Sequence, residues 1–328
     1  MHARARPSAV LLYGALVAHT LVSAGTYLFA KRALMEIPAL PLGLLRFAGA
    51  ALLLLILLRR ARPAGERFPP RREWKKLLFL AAVAVPVNQI LFLYGLQLSS
   101  AAHAALLYTL TPLFVLLLAQ ALLGEFPGWR AALGTALALG GTIYVLLQRG
   151  AGTSREPLGG DLLLLIAVVA WAVYTAEGRE VVGRLGAFPT IAWTVIAGTV
   201  LYLPLGLGAL LSPSYRADIA HASREAWWGI AYLIVMTSVV AYLLWYWALA
   251  HLAAARVAIF TNLQPLATAL LAQVLFGERV TVGFYVAAAV VMGGVLLAQW
   301  GATDAAEEAL LESPARADAY RERRIAAM

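Results

Sequence analysis

Ten stretches of this chain are long and apolar enough to cross the hydrocarbon core of a bilayer, and they leave few folds open. Such a crossing takes about 20 mostly apolar residues in a helix. Runs that meet the rule lie near 9–30, 41–58, 76–98, 103–123, 129–148, 161–180, 189–211, 226–250, 255–276 and 281–300. Turn and boundary residues break them: Ile37-Pro38 with Pro41, Pro69-Pro70, Pro127-Gly128, Gly159-Gly160 and Ser212-Pro213-Ser214. None alternates with the two-residue period of a strand, and barrel spans would be only about 10 residues long. Within lipid the backbone must satisfy itself, which leaves helices. The reading is an all-α integral membrane protein with ten transmembrane helices.

Composition agrees. Hydrophobic residues make up 62% of the chain and charged residues 13%, against about 45–50% and about 25% in soluble domains. There is no cysteine, so disulfides, thiolate metal sites and cysteine nucleophiles are excluded. His2, His19, His103, His221 and His251 are scattered without metal-ligand spacing. No metal, no cofactor and no enzymatic activity are expected. The formal charge of +9 does not point to nucleic acid, because the basic residues sit in the loops, where they set topology and meet lipid headgroups. The densest group is Arg59, Arg60, Arg62, Arg67, Arg71, Arg72, Lys75 and Lys76, between the second and third runs. With that loop inside, both termini are cytoplasmic and the protein is a multi-pass protein of the cell's inner membrane. The first run, preceded by Arg4 and Arg6, exceeds the apolar core of about 7–15 residues in a signal peptide and reads as a retained helix.

The chain also repeats itself. Leu93 to Leu146 aligns without gaps on Tyr246 to Gln299, pairing Pro112 with Pro265 and Gly140-Gly141 with Gly293-Gly294. Leu117-Leu118-Ala119-Gln120 before Gly124-Glu125 returns as Leu270-Leu271-Ala272-Gln273 before Gly277-Glu278. Each half holds five helices, an odd number, so the halves are inverted with respect to each other. Inverted repeats allow two nearly equivalent arrangements, open to either side, with the solute site between the repeats near mid-membrane.

A Pro in the fourth helix of each half, a Gly-Glu at its end and a Gly-Gly in the fifth resemble the drug/metabolite transporter superfamily, in its EamA-type ten-helix branch. The matching segments are Ala104-Ala105-Leu106-Leu107, Thr111-Pro112-Leu113-Phe114 and Leu123-Gly124-Glu125, with Ala258-Ile259-Phe260, Pro265 and Phe276-Gly277-Glu278. Pro41 to Phe47, containing Arg46, is similar to the family's second helix; the second half has Pro189 and Thr194 but no basic residue there. The resemblance implies five-helix repeats over 1–150 and 151–301, with a tail over 302–328. It also implies a secondary transporter of a small organic metabolite, an amino acid or drug-like solute, working by alternating access and more in export than import. The alternative is a lipid-linked or structural relative of the same fold that transports nothing; a cavity walled by Leu and Ala and open to lipid would favour it.

Polar groups within lipid are costly and should face a cavity or another helix. His19 and Ser23 share one face of the first helix; an interhelical hydrogen bond is preferred to proton coupling. Asn88 in the third helix, Tyr108 and Thr109 before Pro112, and Asn262 and Gln264 before Pro265 form twin clusters where proline lets a helix kink. Trp171 and Tyr174 in the sixth helix and Tyr242 and Trp245 in the eighth supply aromatic surface. These residues are the expected substrate cavity, with Pro112 and Pro265 as gating kinks. Two charges are weighed separately. Arg46 offers a fork of donors to a carboxylate, but its position five residues into the helix favours snorkelling to headgroups. Glu177 offers a carboxylate to a cationic substrate or a proton, but structural ion pairing with nearby Arg179 and Arg184 is preferred. Ala136/Gly140 and Ala289/Gly293 are small-xxx-small pairs suited to close packing within the fold or in a homodimer. Glu125 and Glu278 are expected to tie loops.

Overall fold

A computed structural model describes residues 7–61, 68–123, 129–148, 158–252, 257, 259–276 and 282–312. The described residues contain helices and no strand. They are α1 (Ala9–Leu34), α2 (Ala39–Ala61), α3 (Arg71–Gln97), α4a (Ala101–Tyr108), α4b (Thr111–Leu123) and α5 (Trp129–Gln148). Then follow α6 (Leu158–Leu185), α7 (Ala187–Leu210), a short helix over Pro213–Ala220 and α8 (Arg224–Leu249). The last two are α9 (Ile259–Leu263 as a 3₁₀ turn, then Gln264–Phe276) and α10 (Val282–Glu312). Seven of the described helices are long and apolar enough to cross a membrane, and Ala132–Gly141 and Val282–Ala298 are shorter apolar stretches. The protein is an all-α, multi-pass membrane protein. α10 runs without a break past residue 302, so the chain's tail begins as a continuation of the last helix.

Local chemistry sets several helix ends. The hydroxyls of Ser8, Ser100 and Ser223 accept from the backbone N–H groups of Leu11, His103 and Ala226, as side-chain caps do. Gly186, at φ 84°, makes the one-residue turn from α6 to α7, a conformation a side chain would strain.

The helices pair by symmetry. α5 packs on α10, α2 on α7, α1 on α8 and α3 on α6. Exchanging the halves returns each of the first two pairs to itself and swaps the last two. Direction follows from the contacts. The C-terminal end of α1 meets the start of α8, and the start of α3 meets the C-terminal end of α6. The two meetings lie at opposite ends of α2, so α1 and its counterpart α6 run in opposite directions. The five-helix repeats are inverted.

The α5–α10 seam corrects the within-fold half of one expectation. Ala136, Gly140, Ala289 and Gly293 are exposed and face away from it, with nothing within 4 Å of a Cβ built at either glycine. The close approach is made by Gly134 against Gly294 and Ala298, and by Gly294 against Ala138.

Each end of the bundle carries an ionic cluster, and the two occupy symmetry-equivalent places. At one end Glu36, in the α1–α2 turn, accepts from the Ser223 backbone N–H at 2.5 Å and the Ser223 hydroxyl at 2.8 Å, and pairs with Arg32. At the other, Arg184 of α6 grips Glu73 through Nε at 2.9 Å and Nη2 at 2.9 Å. Lys76 of α3 there pairs with Glu177 and lies 3.5 Å from Glu180. The Ser223 N–H and hydroxyl, aided by Arg32, hold the Glu36 carboxyl below the usual range. A lowered folded-state pKa contributes stability above the ordinary value, about 4.3, that is lost as pH falls through the folded one. The melting temperature of the wild type should therefore exceed that of Glu36→Gln at neutral pH. The two should converge in acid, below the ordinary glutamate range; equal melting curves at pH 7 would remove this clasp.

Candidate functional site

The irregular backbone of this protein gathers at one place. α3 carries a π-helical turn over Val83–Val87, containing Pro86. Its counterpart α8 carries one over Leu233–Ala241 with no proline. The fourth helix stops at Tyr108 and restarts at Thr111, just before Pro112, and α9 passes from a 3₁₀ turn to an α-helix at Gln264, just before Pro265. Helix irregularity at membrane depth is tolerated where it lines a cavity, and π-turns re-aim the side chains that follow them. Here they turn Asn88 and Gln89 from one half, and Thr237, Ala241 and Tyr242 from the other, onto a central cavity.

His19, Ser23, Thr26 and Tyr27 form the α1 wall, joined by Arg46 of α2 and Phe92 of α3. Tyr108 closes the side at the α4 break, Trp171 comes from α6, and Thr261 and Gln264 come from α9. The cavity volume is about 60 Å³. At about 10–15 Å³ per water that is room for roughly four to six waters, a tight site for a small solute.

One hydrogen-bonded chain crosses the cavity wall. The Asn88 amide donates to the Ala167 carbonyl of α6 at 2.7 Å and to the Tyr108 hydroxyl at 3.1 Å. The Gln89 amide donates to Asn88 Oδ1 at 2.7 Å, while its own Oε1 accepts from Arg46 Nη1 at 2.8 Å. Arg46 Nε then donates to the Ser238 hydroxyl of α8 at 2.8 Å. Five helices from both halves are thereby joined. α1 is tied in separately: the Tyr27 hydroxyl donates to Gln264 Oε1 at 2.9 Å, and the Thr26 and Thr237 hydroxyls meet at 2.8 Å.

His19 is held in one tautomer by its neighbours. Nδ1 lies 2.9 Å from the Ala241 carbonyl and must donate, which leaves Nε2 to accept from the Ser23 hydroxyl at 3.2 Å. Both nitrogens of a neutral imidazole are used, and the ring lies 4.7 Å from that of Trp245, tilted by 38°. On the aromatic side, Trp171 lies 5.4 Å from Tyr242 and 5.1 Å from Tyr174, spacings usual for aromatic packing. No group of three or more His, Asp or Glu residues among the described residues could hold a metal ion.

The structure brings His19, Ser23, Asn88, Tyr108, Trp171, Tyr242 and Gln264 together on the cavity. Thr109, Tyr174, Trp245 and Asn262 do not line it. Thr109 is buried and donates to the Leu106 carbonyl of its own helix at 2.6 Å. Tyr174 and Trp245 form a second layer behind the lining aromatics. Asn262 is buried with neither amide atom partnered. Arg46 overturns the snorkelling expectation: it is 1% exposed, inside the protein and on the cavity. Glu177 pairs with Lys76 rather than with Arg179 or Arg184 and stands in the end cluster, away from the cavity. Among the described residues the most buried acid is Asp161, accepting from Ser99 at 2.7 Å. Glu125 and Glu278 lie outside the described residues.

Thr26, Tyr27, Phe92 and Thr237 are lining residues that sequence reasoning did not single out. Thr26 and Tyr27 extend the His19–Ser23 stripe by helical spacing, and Phe92 lies one turn after Asn88, so those three carried a signal. Thr237 lies inside the π-helical turn of α8, where the 3.6-residue period fails.

Comparison with known proteins agrees with this architecture. A family model described as the EamA-like transporter family matches residues 10–147 and again 158–300. An uncharacterized protein of Pseudomonas aeruginosa is 35% identical over 284 residues, 84% of this chain and 90% of its own. An uncharacterized transporter of Bacillus subtilis is 27% identical, over 77% of this chain and 82% of its own. A protein of Streptantibioticus cattleyicolor named "Probable terminal-alkyne amino-acid exporter" is 27% identical, over 72% of this chain and 77% of its own. One solved crystal structure shares the fold at a TM-score of 0.64 and 20% identity, over 89% of this chain and 98% of its own. With both halves matched by the family model, and with inverted repeats closing on a polar cavity, the chain belongs to the EamA-like transporter family.

Proposed function

We propose that this protein is a secondary transporter that exports a small organic metabolite across the inner membrane by alternating access, with both termini cytoplasmic. The repeats over 1–150 and 151–301 are its two moving halves. The observation that carries this reading is the polar cavity between inverted halves, joined across them by the Asn88–Gln89–Arg46–Ser238 chain. Ionic clusters at symmetry-equivalent places on the two ends suit it, since opening to one side needs only one cluster to part. An amino-acid-like or small aromatic cargo fits the aromatic walls, and the exporter named in Streptantibioticus cattleyicolor favours that class and direction. The non-transporting alternative asks for Leu and Ala walls; the lining here is polar and aromatic, with Ala241 the one such residue.

The chain has no cysteine, so Thr237→Cys gives a single thiol on the cavity without background. A membrane-impermeant maleimide should label it from each face of right-side-out and inverted vesicles. Labelling from one face alone under all conditions would sink alternating access. In proteoliposomes the wild type should catalyse saturable counterflow of an organic solute; its absence across amino acids, carboxylates and amines would sink the transporter reading.

A further inference from the structure

The cavity contains a buried positive charge with no acidic side chain against it among the described residues. Arg46 uses two hydrogen bonds, from Nε to Ser238 and from Nη1 to Gln89, both to neutral acceptors. A guanidinium has five N–H donors, so three are left. No Asp or Glu lines the cavity, and no ion pair reaches Arg46 among the described residues. The Phe47 ring face lies 4.9 Å from the guanidinium carbon, where it attracts the cation but does not neutralise it.

An unpaired buried ion is strongly disfavoured, and most basic groups escape by losing the proton. Arginine cannot do so at physiological pH. The imidazole of His19 offers no compensation, because both its nitrogens are already used. The charge must therefore be met by something that enters. The three N–H groups that remain, two on Nη2 and one on Nη1, can donate to the oxygens of a carboxylate, a charge-assisted bond stronger than a neutral one. Trp171 and Tyr242, on the same cavity, supply an apolar, flat surface for the rest of the solute.

We propose that Arg46 is the anion-recognition residue of the cavity and that the transported solute is a small carboxylate of net single negative charge with an apolar or aromatic body. This rests on the transporter reading and narrows it: an amine gains nothing from a cavity without a carboxylate. Gln89 and Asn88 are positioning residues, since they hold the guanidinium edge toward the space through the chain described above.

The test uses the full-length purified protein, as wild type, Arg46→Lys and Arg46→Gln. Each is titrated with benzoate and isovalerate, with the amides and amines of the same skeletons, and with inorganic phosphate. Thermal stabilisation and proteoliposome counterflow are read together. Both carboxylates should stabilise the wild type at millimolar concentration, and the amides and amines should not. The midpoint should move at least tenfold in Arg46→Lys, and the response should vanish in Arg46→Gln. Arg46→Gln should melt no lower than the wild type without ligand, because a buried unpaired charge has been removed; a purely structural arginine would give the opposite. Stabilisation by an amide or amine as strong as by the carboxylate overturns the proposal, as does a benzoate response unchanged in Arg46→Gln, or none in the wild type. An Arg46-dependent response to phosphate alone overturns the carboxylate assignment. Counterflow of an amine with intact Arg46→Gln activity would overturn this proposal while leaving the transporter reading standing; no counterflow of any solute would remove both.

Discussion

Gly134→Leu should abolish accumulation of folded protein, while Gly140→Leu, two turns along the same helix, should leave it nearly unchanged. A Cβ at Gly134 would fall on the backbone nitrogen of Ala298 and 2.5 Å from the Gly294 carbonyl oxygen. These are main-chain atoms of α10 and cannot swing aside as a side chain can. Between helices in lipid there is no hydrophobic drive to recover, because acyl chains are as apolar as leucine; association depends on close van der Waals contact. Forcing the two backbones apart therefore unpacks the whole seam. Overpacking a core typically costs about 1–3 kcal/mol, and a backbone clash belongs above that range, against a total stability of roughly 5–15 kcal/mol. Gly294→Leu should behave alike, since its Cβ would meet Ala138 N at 2.5 Å and Gly134 O at 2.7 Å. At Gly140 nothing lies within 4 Å, so a change within about 0.5 kcal/mol is expected. Size-exclusion profiles and melting curves of the three variants decide the matter. Well-behaved Gly134→Leu protein of wild-type stability would show that α5 and α10 do not pack as described.

The second large effect is expected at Asn88, which is 1% exposed and holds three partners. Asn88→Ala deprives the Tyr108 hydroxyl, the Ala167 carbonyl and the Gln89 amide of one bond each. Each buried polar group left unsatisfied costs about 1–3 kcal/mol, reduced in membranes to about 0.6–2 kcal/mol per interaction. Gln89 would then turn, and with it the acceptor that fixes Arg46 Nη1. The transport KM should rise about tenfold, equivalent to about 1.4 kcal/mol, while the maximal rate stays within about twofold. A merely structural asparagine would lower the melting temperature and the amount of active protein but leave KM alone. Thr109→Val is the control: it is equally buried but bonds only to its own helix, so its KM should not move.

Most of the architecture was legible because its cause is periodic and local. Ten apolar runs dictate ten helical segments, and the return of Pro112 as Pro265 and of Gly140-Gly141 as Gly293-Gly294 dictates two related halves. An odd number of helices per half then forces the inversion. Of the site, the proline breaks and seven lining residues were readable, because polar groups in an apolar run have few places to go. The π-helical turns were not readable: α8 has one without proline, so nothing in Leu233 to Ala241 announces the slip that brings Thr237 to the cavity and Ser238 to Arg46. Small-residue spacing also misled. It marks every face where a helix could approach, and Gly140 and Gly134 differ only in which face the partner takes.

Arg46 divides the two kinds of knowledge most clearly. A membrane-spanning helical bundle of two inverted halves is already written in the order of residues, because length and hydrophobicity are properties of single segments. That order also places a cation near one end of α2, but does not say on which side of the helix wall that cation lies. Packing between the helices settles the side, by setting Gln89 of α3 and Ser238 of α8 at 2.8 Å from the guanidinium. Whether a long basic side chain reaches out to headgroups or turns inward depends on which acceptors the neighbouring helices bring within range. That is a matter of packing between segments far apart in sequence, and no single segment encodes it.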